Sequence, residues 1–220
     1  MPFLKTICFF SALFICIGHL AAQEVNQLSL PVYTSASLFY DFPQSPGMAA
    51  EVQFPLNSRH IFINKKGKEK QKFRELVTTS NVGFYRYPFN NTGLFLQQSA
   101  GYRYHCSTPY FFECLLTVGA LRTFCDGAVY SVSDEGAVTT LAHFGRWYAI
   151  TGVTTLFGHD WERAKNPHPF AISVQPSLWI QYPYNSFVLP HFSVQLSLQY
   201  HFPSFNILVH QKEIRRGHQS

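Results

Sequence analysis

Apolar and polar residues alternate strictly in the segment 192–202, FSVQLSLQYHF. Every even-numbered position is apolar or aromatic, and every odd-numbered position between them is Ser, Gln or His. Because successive side chains of a β-strand point to opposite faces, this pattern predicts a strand with one apolar and one polar face.

The same two-residue period recurs along most of the chain. It is clear in seven segments, whereas 145–158 mixes aromatic, apolar and Thr residues on both faces. Helical periodicity is hard to find, so the predicted class is all-β. With 145–158 included, eight strands are expected, each long enough to cross a thin bilayer when tilted. They are 28–42, 47–56, 75–86, 93–105, 110–124, 145–158, 169–182 and 190–202.

The connections between these strands differ in length in a regular way. Most are short and rich in Pro, Asn, Gly or Ser, but 125–144 is long and carries Asp126, Asp134 and Glu135. Membrane barrels have short turns on the inner side and longer loops on the outer side. If the first strand starts on the inner side, 125–144 is the fifth connection and lies outside. The pattern predicts an antiparallel up-and-down transmembrane β-barrel.

One segment complicates the strand count. Residues 57–74 contain the basic run 65–70, which reads as a solvated turn, and the apolar run 60–64, which reads as a further strand. Nine strands would leave the last one pointing the wrong way, so either 28–42 or 60–64 is expected outside the barrel wall. We favour 28–42 as the barrel strand because it is long and regular. The basic run could also contact lipid headgroups.

The two ends of the chain differ from its middle. Residues 1–22 have one positive charge, a short apolar core and small residues before Gln23, which are typical of a secretory signal peptide. No later segment is long and apolar enough for a membrane helix. We therefore expect a signal peptide at 1–22, an outer-membrane barrel at 23–202, and a polar, basic tail at 203–220.

The charges of the chain are few and mostly basic. Only 13% of the residues are charged, the net charge is +5, and 17% of the residues are aromatic. A positive surface suits acidic partners such as lipopolysaccharide phosphates, and nucleic acid is not expected for an exported barrel. Inside the barrel, Arg103 and Glu113 should face each other across a hairpin, with Glu51, Glu75 and Gln97 nearby. Such a lumen is filled by side chains, and its charges must be paired.

Candidate chemistry is sparse. No glycine-rich phosphate loop, metal-ligand cluster or nucleophile elbow occurs, so we expect no cofactor and no metal, and we name no catalytic residue. Three cysteines follow the leader, an odd number without close spacing, which argues against a zinc site or a disulfide framework and allows at most one pair. They are Cys106, Cys114 and Cys125.

The chain resembles small, poorly characterised outer-membrane β-barrel proteins of Gram-negative bacteria, of the Bacteroidetes type. The resemblance rests on Gly93-Leu-Phe-Leu96, Gly101-Tyr-Arg-Tyr104, the run 185–191 and the last strand, which matches the assembly signal of that class. The resemblance implies an outer-membrane location, recognition by the barrel assembly machinery, and a monomer. The tail after Phe202 departs from the class, which normally ends at an aromatic residue.

A second resemblance covers only three residues. His191-Phe-Ser193 is similar to the His-x-Ser element of outer-membrane lipid A deacylases, where a His activates a Ser and a carboxylate orients the His. Here the next acidic residue along the chain is Glu213, so we prefer an inward polar pair at a strand start.

Three functional hypotheses follow from these patterns. The favoured one is a membrane barrel with a structural, adhesive or surface-binding role and without enzymatic activity. The alternatives are a lipid A deacylase-like membrane enzyme and a soluble lipocalin-like barrel that binds an apolar ligand.

Overall fold

The computed structural model describes the backbone of most of the chain between Asn26 and Arg216. The predicted signal peptide and the last four residues lie outside the described residues. The described ranges are 26–42, 45–65, 68–88, 90–105, 108–127, 129–134, 136–141, 145–163, 166–184 and 187–216.

The described residues form ten strands and one short helical turn. The strands are β1 (Asn26–Asp41), β2 (Ser45–Lys65), β3 (Lys68–Tyr87), β4 (Asn91–His105), β5 (Tyr110–Cys125), β6 (Val129–Val132), β7 (Val138–Leu141), β8 (Gly145–Asp160), β9 (Phe170–Tyr184) and β10 (Phe187–Arg216). A 3-10 turn, Trp161–Arg163, follows β8. The described residues hold no helix of the length and apolarity that a membrane span requires.

Eight of the strands form a closed antiparallel ring. Each pairs with its neighbours in chain order, and β10 pairs with both β9 and β1 to close the barrel. The predicted up-and-down eight-stranded barrel is therefore confirmed, and each predicted segment falls on one barrel strand, with only Phe42 and Pro169 just outside the observed bounds. The remaining two strands form a hairpin, β6–β7, inside the long connection between β5 and β8. We call the barrel end that carries this hairpin the loop end.

The question of the ninth strand is resolved by the length of β2. Residues 60–64 are not a separate strand, because they continue β2 past an irregularity between Pro55 and Asn57. The segment 28–42 lies in the barrel wall as β1, as favoured, whereas 60–64 continues β2 to and past the rim of the wall. The last strand also runs on: β10 continues past Phe202 to Arg216.

The two faces of the barrel wall differ sharply in polarity. Large apolar side chains are exposed on the outer face of all eight barrel strands, with Leu116 the most exposed of those on β5 at 70%. The inner face of the middle of the barrel is polar, and its Ser, Thr, Gln and Asn side chains are buried. The ambiguous strand β8 also has distinct inner and outer faces, but its inner face is mostly apolar, since its buried positions include Tyr148, Ile150, Thr154 and Leu156.

The interior is layered along the barrel axis. Eight buried residues form an apolar cluster toward the loop end, including Phe39, Phe95 and Trp179, and a smaller cluster that includes Phe111 lies toward the other end. Between these two apolar clusters lies a layer of polar side chains.

Hydroxyl groups connect four neighbouring strands in this polar layer. Ser99 lies 2.8 Å from Thr117, Thr117 lies 3.2 Å from Thr154, and Thr154 lies 3.0 Å from Ser177, measured between side-chain oxygens. Each of these four buried hydroxyls thus has a partner on a neighbouring strand, which removes the cost of burying it unpaired.

Two glycines lie directly opposite aromatic residues on the inner face. Gly83 pairs with Phe95 and Gly93 pairs with Tyr85 between β3 and β4. A Cβ on Gly83 would lie 2.5 Å from Phe95 Cζ, and a Cβ on Gly93 would lie 2.4 Å from Tyr85 Cζ. The rings therefore occupy the space that a side chain at either glycine would need.

Replacing Gly83 with Val should lower the free energy of unfolding by about 1–3 kcal/mol, because the new side chain displaces the Phe95 ring from a packed interior. The measurement is reversible urea unfolding of the refolded barrel. Gly127→Val is the matched control, since no heavy atom outside its chain neighbours lies within 4 Å of a Cβ there. Equal stability of the two variants would contradict the packing argument.

Candidate functional site

A cleft of about 280 Å³ opens at the loop end of the barrel. Its lining combines aromatic and hydrogen-bonding side chains from near the ends of all eight barrel strands and from two connections, so it is a polar cleft with apolar patches. The lining includes Asp41, Tyr85, Asn90, Asn91, Thr123, Tyr148, Gln181 and His191.

The charged centre of the cleft is a contact between the first and last strands. His191 Nδ1 lies 2.7 Å from Asp41 Oδ2, and His191 Nε2 lies 3.0 Å from Gln181 Oε1. Asp41 is buried, and its second carboxylate oxygen, Oδ1, has no hydrogen-bond partner among the described residues. An acceptor oxygen of this kind at a cleft could receive a hydrogen bond from a ligand or from water.

Aromatic stacking fixes the plane of the histidine ring. The rings of Trp179 and His191 are parallel, 2° apart, with centroids separated by 3.9 Å. The indole Nε1–H of Trp179 donates to Ser193 Oγ over 3.1 Å. The geometry therefore places His191 and Ser193 on the inner face of β10, as the sequence predicts, but gives them different partners.

This arrangement does not provide the contact that a serine hydrolase requires. A nucleophilic serine needs its general base within hydrogen-bond reach. Here the ring nitrogens of His191 face Asp41 and Gln181, while Ser193 Oγ accepts from Trp179. Both side chains also face the barrel interior, whereas a lipid acyl chain would approach the outer wall. The likeness to lipid A deacylases therefore does not extend to the geometry.

Asp41 is the site residue that sequence reasoning missed. The next acidic residue after Ser193 in the sequence is Glu213, whereas Asp41 lies 150 residues before His191. Asp41 pairs directly with Ser193 because β1 and β10 close the barrel. Its position on the inward parity at the end of the first strand was the available signal.

A second polar cluster fills the lumen farther from the loop end. Arg103 Nε lies 2.5 Å from Glu113 Oε1, as the predicted hairpin pairing requires. Gln53 completes a triangle, since its Oε1 accepts from Arg103 Nη2 over 2.5 Å and its Nε2 donates to Glu113 Oε2 over 2.9 Å. The Arg103 guanidinium also lies 4.3 Å from the Tyr33 ring centroid.

The other predicted members of this cluster are placed differently. Glu75 has its own partner, His105, at 3.5 Å. Glu51 is buried on the inner face of β2, and its Oε2 has no hydrogen-bond partner among the described residues. Gln97 is buried on the inner face of β4, six residues before Arg103. The lumen is thus filled by polar side chains at this level.

A third cluster lies at the end opposite the loop end. Asp160, Glu162 and His201 place ligand-type atoms within 4.8 Å of one another, a donor set that suits a divalent metal. These atoms already have partners, however. Glu162 Oε2 contacts His201 Nδ1, and Arg163 Nε lies 3.6 Å from Asp160 Oδ2. The hydrogen bond from His201 holds the pKa of Glu162 below its usual range. We interpret the cluster as an ion-pair network.

The cysteines give no site. Cys114 and Cys125 are free, exposed thiols, so they do not pair with each other. Cys106 lies outside the described residues.

Comparison with known proteins gives little beyond the fold. No protein-family model matches the chain, and no curated protein matches it in sequence. Among solved structures, it is similar to the N-terminal β-barrel domain of Pseudomonas aeruginosa OprF, with a TM-score of 0.39 and 11% identity over 80% of this chain and 100% of that chain. A likeness this weak adds nothing to the geometry described above.

Proposed function

We propose that the chain is a membrane-embedded β-barrel of the bacterial outer membrane whose loop end serves a structural, adhesive or surface-binding role. The observation that carries the proposal is the polarity of the wall, which is apolar on the outer face of all eight barrel strands and encloses a polar layer in the middle of the lumen. A barrel that faces lipid needs this arrangement, because the bilayer core offers no partner for polar side chains.

The polarity also argues against a lipocalin-like ligand carrier. A soluble barrel that binds an apolar molecule should be apolar inside and polar outside. Here the middle of the lumen holds the Arg103–Glu113 pair and the hydroxyl groups of Ser99, Thr117, Thr154 and Ser177. An apolar ligand would have to displace hydrogen bonds without replacing them, which is costly.

The filled lumen supports a surface role in preference to a pore. An eight-stranded barrel has an interior just wide enough for side chains, and Arg103 and Glu113 are almost completely buried in it, with side-chain exposures of 1% and 0%. A partner would then bind at the loop end, where the β6–β7 hairpin and the cleft at Asp41 lie.

The remaining parts of the proposal follow from a membrane barrel. Gram-negative bacteria of the Bacteroidetes type are the proposed source class, with export through the signal peptide and insertion by the barrel assembly machinery. Lipopolysaccharide is the proposed neighbour at the loop end. A monomer is favoured because every barrel strand is paired on both sides, which leaves no free barrel edge.

Cell fractionation and gel mobility test the proposal. The protein expressed with residues 1–22 should be found in the membrane fraction, and unboiled samples should migrate differently from boiled ones because folded membrane barrels resist detergent. A soluble periplasmic protein serves as the fractionation control. Recovery in the soluble fraction with no mobility shift would overturn the proposal.

A further inference from the structure

Strands β1, β2, β3 and β10 run to and past the barrel rim at the end opposite the loop end. We call four of their segments the extension: 26–31 of β1, 57–65 of β2, 68–75 of β3 and 206–216 of β10. The β2–β3 ladder continues to the pair Lys65 and Lys68, where the hairpin turns. β10 runs parallel to β2, from the pair His210 and Asn57 to the pair Arg216 and Ile63.

The extension holds the net positive charge of the molecule. Its segments contain 9 of the 17 Lys and Arg residues and 3 of the 12 Asp and Glu residues, a net charge of +6. The rest of the chain, with 8 basic and 9 acidic residues, has a net charge of −1. The positive charge is therefore a property of one end of the barrel, not of its whole surface.

Strand register places most of these basic residues on one face. Directly paired residues of neighbouring strands share a face, and residues two apart along a strand share it as well. Arg59 pairs with Arg74 and with Lys212, which fixes one face across β2, β3 and β10. The basic positions of that face are Arg59, Lys65, Lys68, Lys70, Lys72, Arg74, Lys212 and Arg216.

The opposite face has a different charge pattern. It carries one basic position, Arg215, and the three acidic positions Glu69, Glu75 and Glu213. A hairpin that is merely solvated has no reason to separate its charges in this way. We call the face with eight basic and no acidic positions the basic face.

The basic face continues the outer, apolar surface of the barrel. Arg59 is exposed, and the Arg74 guanidinium lies 4.0 Å and 4.8 Å from the ring centroids of the exposed residues Tyr102 and Tyr104. Glu75, next to Arg74, is buried inside the barrel. The order along the outer wall is therefore apolar belt, tyrosines, then basic positions.

We propose that the basic face docks on the surface of an anionic phospholipid bilayer and binds the headgroup phosphates. The inference rests on the proposed membrane location. Tyrosines mark bilayer interfaces, and a basic residue close to an anionic membrane surface contributes about 1 kcal/mol of attraction. Ile61, Ile63 and Ile214 share the face with the basic positions, which is the composition of an interfacial element.

The position of the extension determines which class of lipid it meets. If the long loop end faces outward, the extension lies at the inner leaflet, which consists of phospholipid. The phosphates it meets are therefore those of glycerophospholipids rather than those of lipopolysaccharide.

Spin-labelled lipids in vesicles of phosphatidylcholine test the proposal directly. In the reconstituted full-length protein, spin-labelled phosphatidylglycerol should associate more strongly than spin-labelled phosphatidylcholine, by about twofold averaged over the first lipid shell. The variant Lys68→Gln/Lys70→Gln/Lys72→Gln should lose this selectivity, and 0.5 M NaCl should weaken it in the wild type. Inorganic phosphate at matched ionic strength should not compete more than chloride does.

The control variant removes three arginines near the loop end, Arg86→Gln/Arg122→Gln/Arg146→Gln, and should keep the selectivity. Gel mobility of the same samples reports insertion separately. A protein that fails to insert overturns the proposed function. A protein that inserts but shows no selectivity, or loses it equally in both triple variants, overturns the docking proposal alone.

Discussion

Replacing Arg103 with Ala should lower the free energy of unfolding of the barrel by about 3–5 kcal/mol, the usual cost of removing one partner of a buried ion pair. Arg103 donates to both Glu113 and Gln53. Without it, the buried carboxylate of Glu113 loses its ion-pair partner, and Gln53 Oε1 loses its hydrogen-bond donor. Reversible urea unfolding in lipid vesicles measures the loss.

Two further variants separate this effect from loss of packing. Glu113→Ala should cost less than Arg103→Ala, because Arg103 keeps Gln53 and remains within the influence of Glu75. Arg122→Ala removes an equally large side chain from the outer wall, where its guanidinium lies over Phe124 and Trp147. It should cost about 1 kcal/mol or less. Equal losses for Arg103→Ala and Arg122→Ala would contradict the buried-cation argument.

The parts of the fold that the sequence predicts are those determined by nearby residues. The pairing of Arg103 with Glu113 follows from one tight hairpin and the parity of two strands, so it could be inferred without coordinates. Gln53 could not be assigned to the same cluster, because it reaches Arg103 across the lumen from a strand that does not pair with β4. Such contacts depend on the curvature of the closed barrel, which two-residue periodicity does not specify.

The same dependence on contacts between distant strands explains why the sequence does not identify Asp41 as the partner of His191 and does not predict the extension. Asp41 and His191 meet only because the first and last strands pair, and the register of that closing pair is not set by a short turn. The apolar run 60–64 resembles a possible further strand in the sequence because an irregularity near Pro55 interrupts the alternation of β2. The parallel pairing of 210–216 with β2 likewise has no local signal.

Replacing Leu116 with Arg tests whether the outer wall faces lipid. Leu116 lies near the middle of β5, between Ala100 and Val153 on the neighbouring strands, and is 70% exposed. At the midplane of a bilayer, an arginine on the lipid face of a barrel costs about 2–4 kcal/mol. Urea unfolding of the variant in vesicles should show a loss of that size, because the guanidinium has no water or acidic partner at that depth.

A matched position outside the belt makes the result decisive. Tyr130 in the β6–β7 hairpin is 60% exposed, so Tyr130→Arg introduces the same charge at a similar exposure in the loop region. Exposed surface substitutions usually change stability by no more than about 0.5 kcal/mol. A soluble barrel would tolerate both arginines equally, since each would point into water. A loss confined to Leu116→Arg therefore assigns the apolar wall to lipid, and equal tolerance of both variants would remove the main support for a membrane barrel.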